Sequence, residues 1–317
     1  MSKRTENERI RLDDAARAGW LYYVAHNTQD EIADKMAISR QSAQRLVSLA
    51  LREKLINFRL DHPIARCMEL AQRLRDRYGL NFCEVTLTDP SSADPALGIA
   101  EVLAEEMEKH LSLESPLVMA LGTGREIQEA VKQLPSMNCP HHKVVSLVGN
   151  LAPDGSASFN DVIMRIGDVV RAPHHPMAVP VVATSSEERD TLCAQKPILS
   201  NIALAQSCDI AFVGIGEVDD SPPLLIDGFI TRQELDGLLN AGAIGEIIGW
   251  AFDREGNLLA GQTNSRVASV PLKQPPEFPI VAVARGPKKV QAIRGALAGH
   301  WITGLITDEA TAEILVA

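Results

Sequence analysis

Pro116-Leu117-Val118-Met119-Ala120-Leu121-Gly122-Thr123-Gly124-Arg125-Glu126-Ile127 decides the fold of this 317-residue chain. The apolar run Pro116–Leu121 is long enough for a buried strand and too short for a helix. Gly122 and Gly124 break it, and a helical pattern begins at Glu126 and runs to Gln133. A continuous apolar strand that feeds directly into a helix belongs to a parallel sheet covered on both faces. The pattern recurs on either side of this stretch. Strands are predicted at Cys83–Thr88, Lys143–Val148, Ile210–Gly214, Ile280–Ala284 and Gly304–Thr307. Helices are predicted at Gly98–Leu111, Asp161–Val170, Glu187–Ala194, Pro197–Gln206, Arg232–Asn240, Lys289–Ala298 and Glu309–Leu315. The stretch from Gly249 to Leu258 departs from the alternation and reads as a hairpin turning near Glu255-Gly256. The glycine-bearing segments Gly242–Trp250 and Leu297–Ile306 are either core strands or subunit surfaces.

Upstream of residue 61 the pattern is helical up to about Lys54, and Leu55–Leu60 is short and β-like. Ala16, Trp20, Leu21 and Val24 recur at spacings of three and four between Asp13 and His26. Thr28-Gln29-Asp30-Glu31 has the form of a capping box, and the helix it starts would bury Ile32, Ala33 and Met36. Ala37-Ile38 makes a tight corner, although a glycine would enter it more easily. Ser39 then caps a helix running to about Lys54, with Ala43, Leu46, Val47, Ala50 and Leu51 inward. Two helices joined by such a corner form a helix-turn-helix. Its second helix would expose Arg40, Gln41, Gln44 and Arg45, and arginine and glutamine suit guanine and adenine edges in a major groove. With Thr28, Gln29 and Ser39 at the helix starts, these make up the candidate DNA-binding set. Leu55–Leu60 would be a wing over the phosphates. A helix from about Ile64 to Tyr78, with Met68, Leu70, Ala71 and Leu74 inward, would link this head to the α/β body.

Charge supports the division. Residues 1–60 hold 11 basic against 8 acidic side chains, whereas the remainder holds 20 against 33, within a net charge of −10. Only the head is suited to a polyanion. No run approaches the roughly 18 apolar residues of a membrane span, and the charged N-terminus precedes no apolar core of a secretory signal. Five scattered cysteines suit a reducing cytoplasm. Cys139, His141 and His142 lack zinc spacing, as do His174-His175, so no metal and no cofactor is expected. Hydrolase motifs are missing too.

The body offers one set of candidate ligand residues. Gly122, Thr123, Gly124 and Arg125 open a helix after a strand, where backbone amides meet an anion or hydroxyl. Without the Lys-Ser/Thr of a nucleotide loop, ATP and GTP are not the expected ligands. A second loop, Gly214-Ile215-Gly216-Glu217, follows another strand, and open α/β sheets bind ligands at such strand ends. Asp227, Glu246 and Lys289 each fall in a glycine-bearing turn, and together they could hold sugar hydroxyls and an anionic group.

These motifs, taken in order, resemble the SorC family of bacterial sugar-responsive transcription regulators, within the DeoR-like group. In the head the likeness rests on Leu21-Tyr22-Tyr23, Gln29-x-x-Ile32-Ala33 and Ser39-Arg40-x-x-x-x-Arg45-Leu46. In the body it rests on Gly122-x-Gly124, Val148-Gly149-Asn150, Val213-Gly214-Ile215-Gly216, Gly242-Ala243-Ile244-Gly245-Glu246, Lys289-x-x-Ala292-Ile293 and Leu305-Ile306-Thr307-Asp308-Glu309. The resemblance implies a winged helix-turn-helix at 1–60. It also implies an effector and oligomerisation domain at 61–317, with a mainly parallel sheet of the sugar-phosphate isomerase/deaminase-like type. It implies operator DNA, a sugar, polyol or sugar phosphate, and a homo-oligomer, usually a tetramer, as partners, in the cytoplasm and without enzymatic activity. By position, Gly122–Arg125 would be the phosphate-type loop and Asn160, Glu246 and Lys289 would face the sugar. Asn150, Gly216 and Asp227 complete the effector set. Here Arg125-Glu126 follow the glycines where family loops carry Ser or Thr, so an unphosphorylated sugar or polyol stands beside a phosphate ester as ligand. The competing reading is a sugar-phosphate isomerase or deaminase with Glu246 as its base.

Overall fold

The computed structural model describes residues 6–53, 55, 56, 64–88, 97–152, 156 and 162–317. The chain divides into two compact units, Met1–Asp61 and His62–Ala317.

The first unit contains α1 (Glu6–Tyr23), α2 (Gln29–Met36) and α3 (Arg40–Arg52). The capping box forms as the sequence suggests: the Glu31 amide donates to the Thr28 hydroxyl and the Thr28 amide donates to the Glu31 carboxylate. The Thr28 amide and hydroxyl, both donating to the Glu31 carboxylate, hold that carboxyl below its usual range. Ala37 ends α2 in the left-handed region, at φ 53° and ψ 43°, and Ser39 caps α3 through the Ser42 amide. Ile32, Ala33, Ala43 and Val47 form the core with Ala18, and Met36 packs at its edge.

α1 buries a different face from the one expected. Ala15, Ala18 and Gly19 face inward, while Trp20 and Val24 are exposed. A Cβ on Gly19 would lie 2.9 Å from the Ala50 Cβ and 2.4 Å from Ile56 Cδ1. α1 and α3 therefore approach through small residues, and that closeness leaves the bulky side chains outside. For the same reason α3 turns Leu49 inward and leaves Leu51 exposed. Most of the expected wing at Leu55–Leu60 lies outside the described residues.

The second unit begins with α4 (Ile64–Tyr78), β1 (Phe82–Thr86), α5 (Leu97–Leu111), β2 (Val118–Leu121), α6 (Arg125–Gln133) and β3 (Lys143–Ser146). It continues through α7 (Ile163–Val170), β4 (His174–His175), α8 (Ser186–Cys193), α9 (Lys196–Gln206), β5 (Ile210–Gly214) and β6 (Gly216–Glu217). Then follow α10 (Pro223–Ile226), α11 (Arg232–Asn240), β7 (Gly245–Ile247), β8 (Trp250–Phe252), β9 (Ile280–Val283), α12 (Val290–Ala298), β10 (Gly304–Asp308) and α13 (Glu309–Val316). Seven strands form one parallel sheet in the order β1-β10-β9-β5-β2-β3-β4, and β6-β7-β8 form a small antiparallel sheet. Period-two alternation feeds both faces of the large sheet. In β5 and β9, Ile210, Phe212, Val281 and Val283 enter one core, and Ala211, Val213, Ile280 and Ala282 the other.

Two expectations need correction in this unit, and one open alternative is decided. α4 packs through Cys67, Leu70, Ala71 and Leu74, while Met68 is exposed, one residue off the buried stripe. The hairpin turns at Ile248-Gly249, between the paired Ile247 and Trp250. Its two central residues have φ 47° and 92°, the backbone of a type I′ turn. The Glu255-Gly256 turn exists, but it only returns the chain to a single bridge between Phe252 and Leu258. Finally, the segments weighed as subunit surfaces are mostly core: Ile247, Ile248, Trp301, Ile302, Leu305 and Ile306 are all at most 5% exposed.

Candidate functional site

β2 and β5 are neighbours, but the sheet grows from β2 towards β3 and β4 and from β5 towards β9 and β10. The loops leaving their C-terminal ends therefore diverge, and a crevice opens between them, as at the switch point of any open α/β sheet. Here it is a cavity of about 170 Å³. Thr123, Gly124, Arg125 and Glu126 line it from the β2 loop, and Gly214, Ile215, Gly216 and Glu217 from the β5 loop. Glu246, Ile248 and Gly249 come from the hairpin, Lys289 from the start of α12, and Pro223, Leu224, Asp227 and Phe229 from α10 and its exit, with Val148 and Val181 completing the wall.

Two glycines make this packing possible. Gly124, at φ 145° and ψ 156°, caps α6 in a conformation closed to residues with a Cβ. A Cβ on Gly216 would sit 2.0 Å from Glu246 Oε1, so only glycine lets that carboxylate approach the β5 loop. Glu246 Oε2 accepts from the Gly249 amide at 2.6 Å. Lys289 Nζ donates to the Ile215 carbonyl at 2.8 Å and stands 3.8 Å from Glu217 Oε2. That Glu217 oxygen is buried with no hydrogen-bond partner among the described residues. Burial pushes the Glu246 carboxyl above the usual carboxylate range; the Gly249 amide and Lys289 pull it down, and Glu217 pushes it further up.

The structure thus brings together Thr123, Gly124, Arg125, Gly216, Asp227, Glu246 and Lys289 from the expected set. Gly122 is not in the wall. Its backbone amide, buried just past the end of β2, donates to the Phe212 carbonyl, and it packs near Ile248. Asn150 also lies off the cavity, with its amide donating to the Met177 carbonyl. Asn160 lies outside the described residues. Sequence reasoning quoted Glu217 in the second strand-end loop without giving it a role of its own, and passed over Ile248. Ile248 carried no signal, because a β-branched residue at positive φ is not a turn residue.

His142 is fully buried and satisfied: Nδ1 accepts from the Leu117 amide, so Nε2 carries the proton and donates to the Leu111 carbonyl. Burial holds it below its ordinary value. Among the described residues no cluster of three or more His, Cys, Asp or Glu could hold a metal. Burial pushes the Cys83 and Cys208 thiols up to about 12, too high for a nucleophile at neutral pH. No helix among the described residues is long and apolar enough to cross a membrane.

In the first unit, Gln41, Gln44 and Arg45 are exposed on α3, and Arg40 pairs with Asp30 at 3.5 Å on the surface.

The sugar-binding domain family matches residues 62–317. The chain is 32% identical over 302 residues to the erythritol catabolism regulatory protein EryD of Brucella abortus, covering 95% of this chain and 96% of that one. It is 26% identical to the transcriptional regulator LsrR of Klebsiella pneumoniae, covering 95% and 92%. The full-length sorbitol operon regulator SorC from Klebsiella pneumoniae shares the fold at a TM-score of 0.71 and 22% identity, covering 96% of this chain and 99% of that one. A DeoR family transcriptional regulator from Listeria monocytogenes shares it at 0.70 and 19% over 78% of this chain and 99% of that one. With its sheet, its cavity and all but the first 61 residues inside the matched span, this chain belongs to the sugar-binding domain family and is a relative of EryD along nearly its whole length.

Proposed function

We propose that the protein is a DNA-binding transcription regulator of a carbohydrate or polyol operon. Its first unit would be a winged helix-turn-helix that reads operator DNA. Its second would be an effector domain of the sugar-phosphate isomerase/deaminase-like type that binds a sugar or polyol in the β2–β5 cavity. The observation that carries this reading is the pairing, in one chain, of that cavity with a capped two-helix corner exposing Gln41, Gln44 and Arg45. The relatives span both units and are named as regulators, one of them for erythritol catabolism. An isomerase has no use for the exposed α3 face, and the relatives do not favour that alternative. A head carrying a balance of only +3 makes few phosphate contacts, so useful affinity comes from two or more heads linked through a homo-oligomer.

Fluorescence anisotropy of the full chain tests this on DNA from upstream of its own gene against a scrambled duplex. Binding to the upstream DNA is expected to be markedly tighter. Arg45→Ala should remove about 1–3 kcal/mol of that preference if Arg45 reads a base. Equal affinity for both duplexes would overturn the reading.

A further inference from the structure

We propose that the cavity selects an uncharged polyhydroxy ligand, a short polyol or free sugar, and rejects the corresponding phosphate ester. The proposal rests on the regulator reading only for the presence of a carbohydrate ligand. Four carboxylates, from Glu126, Glu217, Asp227 and Glu246, share the wall with two cations, Arg125 and Lys289. A phosphate monoester would bring about −1.5 to −2 further charge into that surplus.

Two of the three features that could welcome an anion are already offset, and the third, Arg125, is exposed. Lys289 donates to the Ile215 carbonyl and lies 3.8 Å from Glu217, beyond hydrogen-bond reach, so part of its charge is already balanced inside the protein. The N-terminus of α6 carries Glu126 in its first turn, where a carboxylate complements the helix dipole. A neutral polyol meets the opposite welcome. The buried Glu217 oxygen without a hydrogen-bond partner can only accept, so it calls for a donor. A hydroxyl donates, whereas a phosphate dianion has no proton to give, so the phosphate end of an ester cannot sit against that oxygen. Leu224, Phe229 and Ile248 offer apolar wall for the C–H faces of such a chain. The volume of about 170 Å³ is close to the ~150 Å³ cavity that accepts a benzene-sized molecule, which suits a short polyol.

Isothermal titration calorimetry of the full chain decides this with matched probes: erythritol against erythritol 4-phosphate, and ribitol against ribitol 5-phosphate. In at least one pair the uncharged member should bind tenfold or more tightly than its ester. Glu217→Gln, which turns half of that acceptor into a donor, should weaken the uncharged member at least fivefold. Glu126→Gln, at the mouth of α6, should narrow the gap between the members by improving the ester. Circular dichroism verifies that each variant keeps its fold, and the wild-type comparison stands without them. An ester that binds as tightly as its uncharged partner, or no binding by any uncharged member, overturns the proposal. Specific DNA binding is measured separately without ligand. Its loss sinks the regulator reading alone, whereas a phosphate preference in a DNA-binding protein sinks this proposal alone.

Discussion

Burial raises the Glu246 carboxyl more strongly than the Gly249 amide and Lys289 lower it, and the sign of the consequence follows from linkage. A carboxyl raised on folding favours the folded state while protonated. Its contribution is fully present below its ordinary value of 4.5 and is lost as pH rises through the higher folded value. Glu246→Gln mimics the protonated form and can keep an oxygen facing the Gly249 amide. Without ligand, the variant should therefore melt above the wild type at pH 8, with the difference closing towards pH 4. Thermal denaturation across that range measures it, and a wild type more stable than the variant at pH 8 would contradict it. At this scale the sequence was partly legible. Asp227, Glu246 and Lys289 stood out because they sit in glycine-bearing turns, and all three line the cavity. Glu217 and Ile248 did not, because their importance comes from a buried approach and a strained backbone that local composition does not report.

The helices with side-chain caps were the most legible elements, since the capping residue signals where each begins. Thr28 and Thr231 form capping boxes, Ser39 and Asp308 cap through their side chains, and the helices begin where those residues say. What periodicity missed was the face of α1. It marks bulky apolar residues, whereas the close α1–α3 approach is made by Ala15, Ala18 and Gly19. The two-residue strand β4, built of two histidines, was equally invisible because it is an edge strand with too little apolar surface to show. The corner between α2 and α3 gives a direct test. Ala37 holds φ 53°, which costs an L-residue about 1–2 kcal/mol that glycine avoids. Glycine returns part of that gain through its freer unfolded chain, so Ala37→Gly should stabilise the first unit by about 0.5–1 kcal/mol. A rise in the urea midpoint of that unit, at unchanged slope, checks it. A fall would mean that the corner's backbone differs from the one described.

Across the whole chain, strand and helix alternation made the parallel sheet legible, but the order β1-β10-β9-β5-β2-β3-β4 was not, because it is set by pairings between distant segments. That order matters most for function, since it makes β2 and β5 neighbours and puts the cavity between their loops. The charge division was legible as well: the basic excess lies in the unit that exposes Arg45, and the acidic excess in the unit whose cavity is rich in carboxylates. If ligand and DNA occupy separate units of one regulator, their affinities must be coupled, and the coupling must be reciprocal.

The most direct measurement is the affinity of the full chain for its upstream DNA, read by anisotropy across a titration of an uncharged polyol whose binding calorimetry has established. We expect the DNA dissociation constant to change by at least fivefold, in one direction, and to level off as the polyol site fills. DNA affinity that stays constant up to saturating polyol would contradict the central claim that the cavity in the second unit controls what the first unit does.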